Sequence, residues 1–278
     1  MNIVCCLKQV PDTAQVKIDP ETNTLIREGV ESILNPYDLV AVEQAIRLRK
    51  DHGGRVFAIC MGPPQAKSIL RQAMSLGADE GILLSDRAFA GADTLATSYT
   101  LARAIEKIGE TDPVDLVLCG KQAIDGDTAQ TGPGIATRLK MAQLTYVVRV
   151  AAVDPAGGTI DVVRKLEGAV ETVRGTLPAL LTVELELARP HRAPLPQLIA
   201  SLKAPVAVWD AAAIEAVRKM VGIKGSPTWV RKIASPPPRE GGPRFTAKPD
   251  PEKAVADLLD VLLTDGTYRT ELLNRWEA

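Results

Sequence analysis

The chain has 278 residues, with 33 Lys+Arg against 34 Asp+Glu, 46% hydrophobic residues and 4% aromatic ones. That length buries a sizeable core in one large domain, or in a medium domain with a smaller one. The even charge balance excludes a basic nucleic-acid surface and a polyionic disordered chain, and two histidines with four cysteines, none in a CxxC pair, are too few for a zinc site.

No stretch approaches the ~20 apolar residues of a membrane span, so no direct membrane insertion is expected. The segment Met1-Asn2-Ile3-Val4-Cys5-Cys6-Leu7-Lys8 has no basic n-region and its apolar run stops at Lys8, which predicts no secretory signal. Cysteines set in apolar surroundings predict a reducing cytoplasm.

Up to about residue 190 short apolar runs alternate with amphipathic stretches. This is the pattern of a doubly wound, mostly parallel α/β sheet covered on both faces. The run 3–7 predicts a buried first strand. A helix over 38–49 has Leu39, Val40, Val42, Ala45, Ile46 and Leu48 on its apolar face. A second strand over 55–61 ends at Gly62-Pro63-Pro64. A helix over 65–76 follows, closed by Gly77 as its C-cap. Then come a third strand over 81–84, a long amphipathic helix over 94–108, a fourth strand over 114–119 and a further helix from Gly134. Beyond 145 the alternation over 146–153, 159–164 and 169–176 predicts an antiparallel extension, with Ala156-Gly157-Gly158 as a hairpin turn. The segment 177–183 reads as one more apolar strand.

From Arg189 the texture changes. Arg189-Pro190-His191-Arg192-Ala193-Pro194-Leu195-Pro196 predicts an exposed, stiffened loop. A short helix is expected over 211–220. Ser235-Pro236-Pro237-Pro238 opens an extended arm over 235–243, and an amphipathic helix over 251–263 follows it, with Ala254, Val255, Leu258, Leu259 and Leu262 on one side. The expected plan is an α/β nucleotide-binding domain over 1–188, a loop and following segment over 189–234, and an arm with its helix over 235–278. The arm packs either on its own domain or on a partner chain.

The chemistry concentrates after the fourth strand, in the fifteen residues Gly120-Lys121-Gln122-Ala123-Ile124-Asp125-Gly126-Asp127-Thr128-Ala129-Gln130-Thr131-Gly132-Pro133-Gly134. Ligands of open parallel sheets bind beyond the carboxyl ends of strands. Four glycines let backbone approach a ligand, Thr128, Gln130 and Thr131 offer donors, and the helix start that follows favours an anion. The segment therefore fits a phosphate or pyrophosphate. The same residues also make a plain turn and helix cap. Neither the P-loop nor the Rossmann glycine fingerprint is present. Lys8 to Thr13 after strand one, Met61 after strand two, and Asn35-Pro36-Tyr37-Asp38 before a helix are expected to converge on the same crevice. Each has a bland alternative: a solvated lysine, core filling, a helix cap.

At these residues the chain resembles the β subunit of the electron-transfer flavoproteins. The resemblance rests on Lys8-Gln9-Val10-Pro11-Asp12, Asn35-Pro36, Met61-Gly62-Pro63, Gly77-Ala78-Asp79 and Gly120-Lys121-Gln122-Ala123-Ile124-Asp125. The stretch from Arg164 to Thr172, leading to Leu177-Pro178-Ala179, is similar to the family signature and departs from it at Ala169. The resemblance implies a heterodimer with a flavin-bearing α subunit. It implies nucleotide contacts from Cys6, Asn35, Pro36, Tyr37, Asp38, Met61, Lys121, Gln122, Ala123, Ile124, Asp125, Gly126, Asp127, Thr128, Ala129, Gln130, Thr131 and Gly132. Asp125-Gly126-Asp127-Thr128-Ala129-Gln130 followed by Gly132-Pro133 resembles the bifurcating subgroup. That subgroup holds FAD rather than AMP here, takes hydride from NADH, and divides the electrons between the α-subunit flavin and a low-potential acceptor such as ferredoxin or flavodoxin. The α-subunit branch leads on to an acyl-CoA dehydrogenase or a quinone oxidoreductase. The family's docking anchor for such a partner falls on Leu195. No catalytic acid, base or metal is expected. A universal-stress-type nucleotide-binding module and an ATP-using ligase or pyrophosphatase of similar fold are the alternatives of another class.

Overall fold

A computed structural model describes residues 1–12, 17–18, 25–26, 32–228 and 244–264. Among them the backbone forms a nine-stranded sheet. Its strands are β1 (Ile3–Leu7), β2 (Val56–Met61), β3 (Glu80–Leu84), β4 (Leu116–Gly120), β5 (Ala142–Asp154), β6 (Thr159–Leu166), β7 (Ala169–Thr176), β8 (Ala179–Val183) and β9 (Val206–Trp209). The order across the sheet is β7-β6-β5-β8-β4-β1-β2-β3-β9. Every pair from β5–β8 across to β3–β9 is parallel, and β5, β6 and β7 pair antiparallel. The helices are α1 (Pro36–His52), α2 (Lys67–Leu76), α3 (Thr94–Gly109), α4 (Thr131–Leu139), α5 (Leu195–Lys203) and α6 (Pro251–Thr264).

The continuous apolar strands follow from burial on both faces. Side chains alternate with period two. Ile3, Cys5 and Leu7 of β1, with Leu116 and Leu118 of β4, join a core with Ala45 and Ile46 of α1 and Leu70 of α2. Val4 and Cys6, with Val117 and Cys119, face Leu101 and Ile105 of α3 and Ile135 of α4. Ile3, Leu116 and Leu118 are fully buried, each stabilising by about 1.5–3 kcal/mol relative to exposure. Strand β1 is the pivot of the sheet. The chain runs from it outward to β2 and β3, then returns to place β4 on its other side, so the order reverses between β1 and β4.

The expected elements through β8 are present, with adjusted ends. Helix α4 starts at Thr131 rather than Gly134, because Pro133 is tolerated in a first turn, whose N–H groups have no intrahelical partner. Strand β8 starts at Ala179, since Pro178 has no N–H to give a ladder. Three readings after 189 are corrected. Leu195 is not within a loop; it heads α5, and Pro196 sits in the first helical turn where proline is accepted. Residues 211–220 form turns and a single 3₁₀ turn (Arg218–Met220), with Glu215 in the left-handed region at φ 51° interrupting any helix. Strand β9, unexpected from the sequence, extends the main sheet beside β3.

Contacts divide the chain into residues 1–233 and 234–278. In the second unit Asp250 accepts a hydrogen bond from Lys253 N at the start of α6, and Val255, Leu258, Leu259, Val261 and Leu263 of α6 are exposed. The expected arm over 235–243 lies outside the described residues. Among the described residues no helix is long and apolar enough to cross a membrane, and no cluster of three or more His, Cys, Asp or Glu could hold a metal ion.

Candidate functional site

A cavity of about 620 Å³ opens at the carboxyl ends of β1 and β4, where the strand order reverses. That is where an open α/β sheet places its ligand, and the volume falls within the roughly 300–1,000 Å³ of ligand pockets. Of the expected contact residues, Cys6, Asn35, Asp38, Met61, Lys121, Gln122, Ala123, Asp125, Gly126, Thr128, Ala129, Gln130, Thr131 and Gly132 line it. Pro36, Tyr37, Ile124 and Asp127 do not.

The N-terminus of α1 is the organiser of this wall. Asn35 is fully buried, yet its side chain makes no cap hydrogen bond. Instead its Nδ2 donates to Gln122 O at 2.9 Å, and its Oδ1 accepts from Ile124 N at 3.2 Å. One amide thus pins the loop after β4 to α1 across the crevice, which replaces the simple cap as the reason for Asn35. Asp38 ties the two pivot strands together: its Oδ2 accepts from Lys8 N at 2.8 Å and its Oδ1 from Gly120 N at 3.0 Å. Burial pushes the Asp38 carboxyl up to about 7, against the pull of those hydrogen bonds. Gly120 is required here, because a Cβ would strike the Asp38 carboxylate and Tyr37.

The loop itself is strained. Asp127 and Ala129 both hold left-handed backbone, at φ 48° and 52°, a conformation non-glycine residues rarely adopt and one that concentrates at functional sites. Asp127 is steadied by Gln122 Nε2, which donates to its Oδ1 at 2.8 Å. Gly126 is different: its φ is not left-handed, and a Cβ added there would meet nothing within 4 Å. Neither backbone nor packing explains a glycine at 126. At the far end of the loop Gln130 makes no side-chain cap for α4, and Thr131 and Gly132 of its first turn line the cavity, an end that favours an anion.

Two lysines are already engaged. Lys8 Nζ lies 2.7 Å from Asp125 Oδ1 at the cavity mouth. Lys121 Nζ donates to Glu184 at 2.9 Å and sits 5.4 Å from the Tyr37 ring centroid. Burial lowers its proton affinity, but the Glu184 carboxylate outweighs that and holds it above the usual lysine range. On the floor Cys6 and Cys119 are register partners of β1 and β4. The adjacent Cys6 thiol, together with burial, holds Cys119 well above its ordinary value.

The sequence reading missed the opposite wall: Ala92, Asp93, Thr94, Thr97, Leu101 and Thr228. Asp93 caps α3 by accepting from Leu95 N and Ala96 N, and its other oxygen accepts from Thr228 N and Oγ1. Desolvation raises the Asp93 carboxyl, but these bonds more than offset it and hold it below the usual range. Thr94 Oγ1 donates to Gln130 Oε1 at 2.9 Å, joining this wall to the loop. The rule about strand ends applies equally to Gly91-Ala92-Asp93-Thr94 after β3, and was the signal for it. Thr228 had none. The cavity thus has an anion-favouring end at α4, an open stretch at Gly126, and a hydroxyl-rich wall at the start of α3.

The model of the electron transfer flavoprotein domain family matches residues 22–214. The chain is similar to "Protein FixA" of Azorhizobium caulinodans, 48% identical over 262 residues, covering 93% of this chain and 92% of that protein. It is similar to the "Electron transfer flavoprotein subunit beta" of Clostridium acetobutylicum, 48% identical over 235 residues, covering 84% and 88%. It also resembles the protein of that name from Thermoanaerobacterium thermosaccharolyticum, 46% identical over 263 residues, covering 94% and 98%. These likenesses leave no place for the universal-stress and ligase readings. The chain belongs to the electron transfer flavoprotein domain family.

Proposed function

We propose that this chain is the β subunit of an α–β electron-transfer flavoprotein, that it holds FAD in the cavity, and that the complex oxidises NADH. The complex then sends electrons to the α-subunit flavin, and onward to an acyl-CoA dehydrogenase or quinone oxidoreductase, and to a low-potential acceptor such as ferredoxin or flavodoxin. The carrying observation is Gly126, a cavity-lining glycine that neither fold nor packing requires and beside which a side chain would meet nothing. The residues fit a dinucleotide. The first-turn amides of α4 with Thr131 would hold its diphosphate. Thr94 and Thr97 would bind its hydroxyls, with Asp93 holding that wall in place. Asn35 would keep the loop closed, excluding water. FAD, when bound, supplies the hydride and one-electron chemistry; the chain supplies placement and electrostatics.

Leu195, at 67% exposure, heads the α5 face offered to the partner oxidoreductase. The exposed apolar side of α6 is read as packing on the α subunit. The cytoplasm is the proposed location. The test is anaerobic NADH added to the purified α–β complex, followed by absorbance. Bleaching of two flavins per heterodimer supports the reading, and a single flavin insensitive to NADH overturns it. A complex carrying structural AMP would be the conventional form of the same family.

A further inference from the structure

Helix α5 carries Leu195, Leu198, Ile199 and Leu202 as one apolar stripe, exposed at 67%, 42%, 50% and 61%. This nine-residue helix lies at the surface beside α2, entered from a strap and left into β9. That strap, 188–194, is fastened to α1. Ala188 and Ala193 pack into the core on the α1 side of the sheet. Arg47 donates through a guanidinium nitrogen to Arg189 O at 3.2 Å. His191 makes the central fastening: its backbone N donates to Glu43 Oε2 at 3.2 Å, and its Nδ1 lies 2.6 Å from the same oxygen. Arg47 Nε fills Glu43 Oε1 at 2.8 Å.

Glu43 is buried on α1, so both its oxygens need these partners. Burial alone would raise its carboxyl, but the hydrogen bonds from His191 and Arg47 outweigh that and hold it below the usual range. The other acids near the strap are already paired: Glu184 with Lys121 and Glu186 with Lys165. Prolines at 190, 194 and 196 remove slack on either side of the fastening.

We propose that His191 is a positioning residue: by clamping the strap onto Glu43 of α1, it fixes the direction in which α5 presents its apolar stripe to a partner protein. The partner in that statement rests on the docking reading of α5, whereas the clamp itself is measurable without one. In the α–β complex, nitroxides at Leu202→Cys and Lys50→Cys report the α5–α1 distance distribution by pulsed EPR. The expected result is one narrow distance. His191→Ala broadens it and accelerates amide exchange across 191–199 by about tenfold, the loss of one hydrogen bond to a charged group. His191→Asn, whose amide N–H falls near the place of Nδ1, restores the narrow distance. A narrow distance retained in His191→Ala, or an Asn variant as broad as the Ala one, overturns the proposal. The docking reading is tested apart from the clamp by Leu195→Ser, whose unchanged KM for the partner oxidoreductase would remove α5 as the docking element while leaving the distance result standing.

Discussion

Asn35→Ala is the sharpest perturbation of the site. Asn35 has zero exposure, and its amide makes two hydrogen bonds to the loop, at 2.9 Å to Gln122 O and 3.2 Å to Ile124 N. Each such bond contributes about 0.5–1.5 kcal/mol net, and a partner left without water costs about 1–3 kcal/mol. The loop is partly exposed and recovers some hydration, so the loss is about 2–4 kcal/mol. For a folded unit of this size that lowers Tm by roughly 4–16 °C. The loop also carries the expected phosphate-binding end, so bound nucleotide should fall with it. Thermal unfolding by circular dichroism and the nucleotide content after gel filtration are the two readouts. An ordinary helix cap would cost about 1 kcal/mol and leave the nucleotide in place. A Tm drop under about 2 °C with full nucleotide retention would refute the pinning argument.

Gly126→Glu should leave Tm unchanged, because a side chain there starts into open space, while retention of FAD falls by at least about tenfold, a change of about 1.4 kcal/mol; flavin absorbance of the purified complex measures it. Asp38 is held near 7 in the folded chain, above its ordinary value of 3.8. The folded state then binds the extra proton between about pH 4 and 7, so the group's contribution falls as pH rises through that window, by about 1.4 kcal/mol per unit. Urea unfolding of the wild type against Asp38→Asn should show that slope and then level above about pH 7.5, and a difference independent of pH would contradict it. Leu195→Ser should leave Tm unchanged, since the side chain is largely exposed, yet raise KM for the partner oxidoreductase with kcat intact; an unchanged KM would remove α5 as the docking element.

Much of this was legible because apolar patterning decides a sheet covered on both faces. The runs at β1, β2 and β4 read as strands buried on both faces, and the rule that ligands gather at strand ends brings Met61, Asp38 and the 121–132 loop together from sequence alone. What escaped was long-range polar chemistry and half-buried structure. No local pattern tells that Asn35 bonds a loop 87 residues on rather than its own helix, or that Lys121 is spent on Glu184 rather than a ligand. Thr228 lines the cavity and is held there by Asp93, 135 residues earlier. Strand β9 is four residues long and partly exposed at the sheet edge, so it shows neither a continuous apolar run nor a clean alternation. Helix α5 was hidden by Pro194 at its N-cap and Pro196 in its first turn, which read as a loop although a helix start accommodates them.

The nucleotide released from the denatured α–β complex tests the central claim most directly. With one chain of each subunit, mass spectrometry should find two FAD per heterodimer and no AMP. One FAD and one AMP would mean that the space beside Gly126 is not filled by a dinucleotide, and the NADH-oxidising account would be wrong.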